Sequence, residues 1–187
     1  MTYLNSAHLS FLSLHGLTQD QVIDGRFMSK KDIQHEAERQ GASFYISSSP
    51  CRKHGHTLRT KAGHCAQCDT AKISYQLRSS SAGHVYAAAC SAKGWIKFGY
   101  TKNPVERIQV LNEHQYASCS SWHLLHSTYL PRHAGRCELE IHARLADRMV
   151  QGLGYYKEGK WQACREIFSC TDKEALNIMK DITHKFQ

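Results

Sequence analysis

The sequence predicts an α+β domain over about residues 83–187, and three patterns carry that reading. Val85–Cys90 and Trp95–Tyr100 are short runs of strand-forming residues separated by a Lys93-Gly94 turn, which reads as a hairpin. Asn103-Pro104 couples a capping side chain to a proline at the first helical position, and Val105, Ile108 and Leu111 continue at helical spacing. Cys137, Ile141, Leu145 and Met149 recur at i, i+4, so residues 134–149 read as one long amphipathic helix. Between these, Trp122–Leu130 supplies a third strand. Thr171-Asp172-Lys173-Glu174 is a capping box that opens a terminal helix bearing Leu176, Met179 and Ile182. The order β-β-α-β-α-α gives a three-stranded antiparallel sheet flanked by helices. Residues 153–163, interrupted by Gly154 and preceded by Gly152, fit neither period.

Upstream the pattern differs. Residues 1–50 read as a helical N-terminal region. Ala7–His15 carries Leu9, Leu12 and Leu14, Ser29-Lys30-Lys31-Asp32 caps a helix that Gly41 stops, and Ser43–Ser47 is a short strand. Residues 51–82 hold a cysteine–histidine cluster, and Ser79-Ser80-Ser81-Ala82-Gly83 reads as a linker. The expected division is 1–50, 51–82 and 83–187.

The formal charge is +8, with 13 histidines among 187 residues. This balance favours polyanions through long-range attraction and counterion release. No run approaches the roughly 20 apolar residues needed to cross a bilayer. Met1-Thr2-Tyr3-Leu4-Asn5 has neither a basic n-region nor an apolar h-region, so a cytoplasmic protein without membrane contact is expected. With no signal peptide to direct the chain to an oxidising compartment, disulfides are not expected among the 8 cysteines. Cys90, Cys119, Cys137, Cys164 and Cys170 are scattered singly and read as buried, inert thiols.

The remaining cysteines cluster with histidines. Cys51-x4-His56-x8-Cys65-x2-Cys68 places four ligands within eighteen residues. Zinc takes four tetrahedral thiolate and imidazole ligands, and a Cys-x2-Cys knuckle brings two thiolates to one ion from a tight turn. A small ribbon around a structural Zn2+ is therefore expected. His54, His56 and His64 compete for the second position, and His56 is preferred because Gly55 before it permits the turn after Cys51. A redox dithiol at Cys65 and Cys68 is the competing reading, but no βαβ pattern accompanies the pair. Arg52, Lys53, Arg59, Lys61, Lys72 and Arg78 stand in this segment against one acid, Asp69. Such density suits phosphate contacts, so these six are the expected DNA-binding residues. The plainer alternative is a solvated surface around a stapled core.

Gly83-His84-Val85-Tyr86, then Lys97-Phe98-Gly99-Tyr100-Thr101 after ten residues, then Arg107, resembles the GIY-YIG endonuclease superfamily. Ile96–Thr101 followed by a helix with Arg107 is similar to the phage-associated branch in which lysine replaces the second tyrosine. The resemblance covers about residues 83–168 and implies a small GIY-YIG-type domain that hydrolyses DNA phosphodiester bonds. It implies that Tyr86 activates or positions the attacking water and that Arg107 stabilises the scissile phosphate. It also implies one carboxylate, from a later helix, holding Mg2+ or Mn2+. Glu138 followed four residues later by His142 matches the branch's arrangement, which makes Glu138 the implied ligand and Glu140 a solvated acid. His142 then either holds Glu138, contacts phosphate, serves as an acid–base group, or is a half-buried helix histidine. Lys97 either gives up its proton and serves where the second tyrosine would, or stays charged and contacts phosphate. His114, at the helix end, matches only loosely. Glu166 in Arg165-Glu166-Ile167-Phe168 resembles the branch's closing element and reads as a packing motif.

The residues themselves agree with this site. Arg107 follows Asn103 by four positions, about one turn, so its guanidinium projects near the helix start, where it can grip a phosphate bidentately. Gly99 leaves its strand open to close approach. One carboxylate plus waters suits magnesium or manganese, both hard cations. The reading is a metal-dependent DNA endonuclease whose zinc module aids binding. The alternatives are a non-catalytic nucleic-acid-binding protein, for DNA or RNA, and a zinc-stabilised adaptor; a pure binder has no use for a carboxylate beside a phosphate.

Overall fold

Phe44 and Ile46 are buried and Tyr45 between them is half exposed, the alternation of a strand with one face on a core. The computed structural model describes residues 3–187; Met1 and Thr2, where the reading of the N-terminus began, lie outside the described residues. The chain forms two compact units, Met1–Leu77 and Arg78–Gln187.

In the first unit, Asn5 caps α1 (Ser6–Leu14), and β1 (Val22–Asp24) follows. Ser29 caps α2 (Lys30–Gln40), which Gly41 ends in the left-handed conformation at φ 69. β2 (Phe44–Ile46) runs parallel to β1, with α2 as the crossover, and antiparallel to β3 (Leu58–Thr60). Leu12, Val22, Phe44 and Leu58 pack together beneath the sheet. β3 lies inside the cysteine–histidine segment, so that segment shares a sheet with the lead-in. α3 (Ala71–Ser80) closes the unit and runs three residues beyond it.

The expected linker at Ser79–Gly83 is not one. Ser79 and Ser80 form the last turn of α3, and the carbonyls of Ser80 and Ser81 accept hydrogen bonds from the backbone N–H groups of His133 (3.2 Å) and Ala134 (3.0 Å). Gly135 sits against Arg78, where an added Cβ would meet the Arg78 carbonyl oxygen at 2.3 Å. Serine runs read as linkers only while nothing binds their backbone.

The second unit is built on β4 (Gly83–Cys90), whose residues from Val85 on are buried on both faces. It pairs antiparallel with β5 (Trp95–Thr101) and, past α4 (Pro104–Glu113), with β6 (Trp122–Leu130). After α5 (Ala134–Arg144) comes a hairpin of β7 (Gly154–Lys157) and β8 (Lys160–Ala163); then β9 (Ile167–Ser169) and α6 (Asp172–Thr183). β9 pairs with β5 from Trp95 to Lys97, which makes the sheet four-stranded, β6-β4-β5-β9, rather than three-stranded. Three residues are too few to register as alternation, although Ile167 and Phe168 are fully buried. Val85, Ala87 and Phe98 face α5 and α6; Tyr86 and Ala88 face Leu111, Tyr116 and Trp122.

The helix expected over 134–149 stops at Arg144. A 3-10 turn (Ala146–Arg148) follows, and Met149 forms a bridge to Phe168, so the apolar stripe continues after the helix has ended. The unassigned stretch 153–163 is the hairpin, turned at Glu158 (φ 51) and Gly159 (φ 72) in the manner of a two-residue type I′ loop. Cys90 and Cys119 are joined by a disulfide, contrary to the expectation of free thiols. The pairing of β4 with β6 sets Cys90 opposite Trp122, three residues after Cys119, a proximity that spacing in sequence does not reveal. Among the described residues no helix is long and apolar enough to cross a membrane.

Candidate functional site

Register places the first three candidate residues. Tyr86 lies opposite Gly99 and Ala88 opposite Lys97, so Tyr86 and Lys97 share a face as diagonal neighbours on adjacent strands. Gly99 is required here for a specific reason: a Cβ on it would sit 2.7 Å from the Tyr86 ring and hydroxyl. The close approach is that of the phenol itself. Arg107, one turn into α4, donates its Nε–H to the Tyr86 hydroxyl at 3.3 Å. Burial works against the Arg107 charge, but Tyr86, Glu166 and Tyr116 together hold the guanidinium above its ordinary pKa.

Lys97 is fully buried, and its ammonium is paired with the Glu166 carboxylate and lies 4.9 Å from the centre of the Tyr116 ring. A buried ammonium needs such partners to remain charged. Burial pushes the Glu166 carboxyl up, yet the Lys97 charge and hydrogen bond, helped by His142 and Arg78, hold it below the usual carboxylate range.

Glu138 and His142 reach the same region around the sheet edge. β9 covers β5 only as far as Lys97, and past that point the Phe98 carbonyl accepts a hydrogen bond from His142 Nε2 at 3.2 Å. A carbonyl can only accept, so Nε2 carries the proton and Nδ1 keeps a free lone pair. Burial lowers the His142 pKa, against the opposing pull of Glu138, and the ring is neutral at pH 7. Glu138 is 1% exposed, and both its oxygens accept from Arg78 Nη2, at 2.8 and 2.7 Å. The same guanidinium is 4.0 Å from Glu166. Arg78, Lys97 and Arg107 therefore face two carboxylates, an excess of one positive charge. Glu140, by contrast, pairs with Lys185 at the surface.

The group that ties this together is Glu166, which the sequence marks only as part of a packing motif. Glu166 contacts Lys97, lies near Arg78, and interacts electrostatically with Arg107 and His142. A charged residue directly before a buried Ile-Phe pair was the available signal. Tyr116 is not marked at all; its ring is buried between Lys97 and Tyr155. His114, the loose match, is exposed and packs on Tyr155 instead.

In the first unit, Cys51, His56, Cys65 and Cys68 bring their ligand atoms within 4.8 Å of one another. Cys51 Sγ to Cys68 Sγ is 3.6 Å, and His56 Nδ1 is 3.7 and 3.4 Å from the sulfurs of Cys65 and Cys68. Tetrahedral zinc with bonds near 2.3 Å sets its sulfurs about 3.8 Å apart, so the donor set fits that ion. Hydrogen bonding, first from the His54 backbone N–H, pushes the Cys51 thiol down to about 6, towards the thiolate that metals bind. Burial and its thiol neighbours push Cys68 up to about 11, the crowding a cation relieves. The cluster can hold a metal ion such as zinc. His54 Nδ1 is also 3.3 Å from Cys68 Sγ, so the alternative ligand stands at the same sulfur.

The six basic residues do not form one set. Arg52 and Lys53 are exposed beside the cluster and Lys72 is half-buried on α3. Arg59 donates to the Ser49 carbonyl and Lys61 pairs with Glu38, both at 3.0 Å. Arg78 belongs to the Glu138 cluster of the second unit.

No curated protein and no solved structure matches this chain. Residues 83–183, which carry Tyr86, Lys97, Arg107, Glu138, His142 and Glu166, match the model of one family, described as the T5orf172 domain, a phage-associated and nuclease-related domain. That match spans more than half of the chain, which therefore belongs to the T5orf172 domain family.

Proposed function

We propose that residues 83–187 form a GIY-YIG-type catalytic domain that hydrolyses DNA phosphodiester bonds with a divalent metal ion, and that residues 51–82, holding a structural zinc, aid DNA binding. The observation that carries this reading is the gathering of Tyr86, Lys97, Arg107, Glu138 and His142 around Glu166, inside the segment that matches a nuclease-like family.

Each group then has a task. The half-buried guanidinium of Arg107 grips the scissile phosphate and meets the charge that grows on it during attack. The Tyr86 oxygen accepts from Arg107, which leaves its hydroxyl to hydrogen-bond to the attacking water and position it. The Lys97 ammonium, paired with Glu166, adds to the positive field at the phosphate. His142, neutral with a free Nδ1, is placed to accept a proton.

Glu138 fits magnesium or manganese, because a hard cation accepts one carboxylate and completes its shell with waters. Such an ion, when bound, neutralises the phosphate and polarises the leaving oxygen. Access to Glu138 requires Arg78 to swing aside, and its side chain, 50% exposed, has solvent to swing into.

Arg107→Ala is expected to slow cleavage roughly a hundredfold or more, since one such donor contributes about 3 kcal/mol to the transition state. DNA affinity without added metal falls only a few-fold. Cleavage by this variant at the parental rate would remove Arg107 from the phosphate and defeat the reading. The second reading, a nucleic-acid-binding module without catalysis, is favoured by the fact that Glu138 and Glu166 are already paired with Arg78 and Lys97.

A further inference from the structure

The β7–β8 hairpin presents aromatic surface that the cluster around Glu166 does not use. Tyr156 and Trp161 face each other across its strands, edge to face at 5.3 Å, and are 68% and 55% exposed. Large rings left in water on a sheet pair mark a contact surface. Trp161 is held in place by the absence of a side chain at Gly154, where a Cβ would meet its ring at 2.2 Å.

Beside these rings opens a cavity of about 350 Å³, and the loop that forms its other wall brings Glu113, His114, Gln115 and Ser118 to it. These supply a carboxylate, an imidazole, an amide and a hydroxyl, enough donors and acceptors for the edge of a heterocycle. The loop backbone is strained, with Gln115 at φ 45, Ala117 at φ 57 and Ser118 at φ 55, conformations that persist where the surroundings impose them and that gather at ligand clamps. The Trp122 indole bonded to the Tyr116 carbonyl at 2.9 Å and the Cys90–Cys119 disulfide fix it there.

Two further observations bear on the chemistry of a ligand here. Lys157 and Lys160 lie directly opposite each other at the hairpin tip, both exposed, and like charges in that register repel unless an anion comes between them. Tyr155, which also lines the cavity, packs on Tyr116 at 4.9 Å, and Tyr116 carries the Lys97 ammonium on its ring, so two packed aromatic rings connect the cavity to the candidate active site.

We propose that the hairpin and the 113–118 loop form a subsite for an unstacked nucleobase of single-stranded DNA. Tyr156 and Trp161 are the stacking faces, and Lys157 and Lys160 meet the adjoining phosphates. In a duplex each base is covered by its neighbours, so these rings find a partner only where a base is unpaired. The assignment rests on the DNA-cleaving reading for its role, but its test requires no cleavage.

The test is fluorescence anisotropy of the full chain, without added magnesium, on labelled oligodeoxythymidylate and on a duplex of equal length at one salt concentration. Trp161→Ala and Tyr156→Ala are each expected to weaken single-strand binding roughly five- to a hundredfold and to change duplex binding less than about twofold. Trp161→Phe keeps a stacking face and retains most of the affinity. Unchanged single-strand binding by Trp161→Ala, an equal loss on both substrates, or a Trp161→Phe variant as weak as Trp161→Ala would each overturn the assignment. A chain that never cuts but keeps the Trp161-dependent preference loses the nuclease reading and retains the subsite. A chain that cuts DNA but binds single strands equally well with and without Trp161 does the opposite.

Discussion

Glu138→Gln is expected to abolish magnesium-dependent cleavage while DNA binding measured without metal stays nearly intact. The substitution preserves shape and one acceptor but removes the charge that a hard cation requires. It also weakens the bond to Arg78, at about 1.5–3 kcal/mol for a hydrogen bond to a charged group. Because Arg78 is half-exposed, it finds water instead, and the fold survives. Glu140→Gln is the control: that carboxylate pairs with Lys185 on the surface, and the variant cuts at close to the parental rate. A dead Glu140→Gln with an active Glu138→Gln would mean that the wrong carboxylate of α5 has been assigned.

Removal of the metal from the cysteine–histidine cluster is the second large effect. A structural zinc contributes on the order of 10–16 kcal/mol to folding, more than a small unit retains without it. Chelation, or Cys65→Ser, is therefore expected to expose backbone amides to hydrogen exchange in residues 51–78. The exposure extends to β2 and β1, because β3 carries the cluster's segment into their sheet. Residues 83–187 keep their protection, since their core is built on β4 and contains none of the four ligands. Full protection of residues 51–78 after chelation, or purified chain holding no zinc, would rule the structural metal out. His56→Ala with zinc retained would pass the ligand role to His54, which already touches Cys68.

The regular elements of the second unit were readable because their signals are local. The apolar runs of β4 and β5, the Asn103-Pro104 start of α4 and the capping box of α6 each depend on a few adjacent residues. The candidate site was readable as a set of residues, but not as a network. Glu166 matters because β9 docks on β5, and nothing in Arg165-Glu166-Ile167-Phe168 states which strand it joins. Arg78 was grouped with the basic segment by proximity in sequence. Gly135, which leaves room for its backbone, lies 57 positions away, and only the fold brings the two together. The hairpin escaped notice because its turn uses Glu158 at positive φ, where asparagine or aspartate is the usual signal.

The central claim, that this domain breaks phosphodiester bonds, is tested most directly by incubating the purified chain with end-labelled DNA in magnesium, in manganese and without a divalent ion. The panel spans single-stranded, double-stranded and modified substrates. Cutting of at least one substrate that depends on the added metal is the predicted result. Binding across the panel with no cleavage under any metal would contradict it and leave a nucleic-acid-binding module in its place.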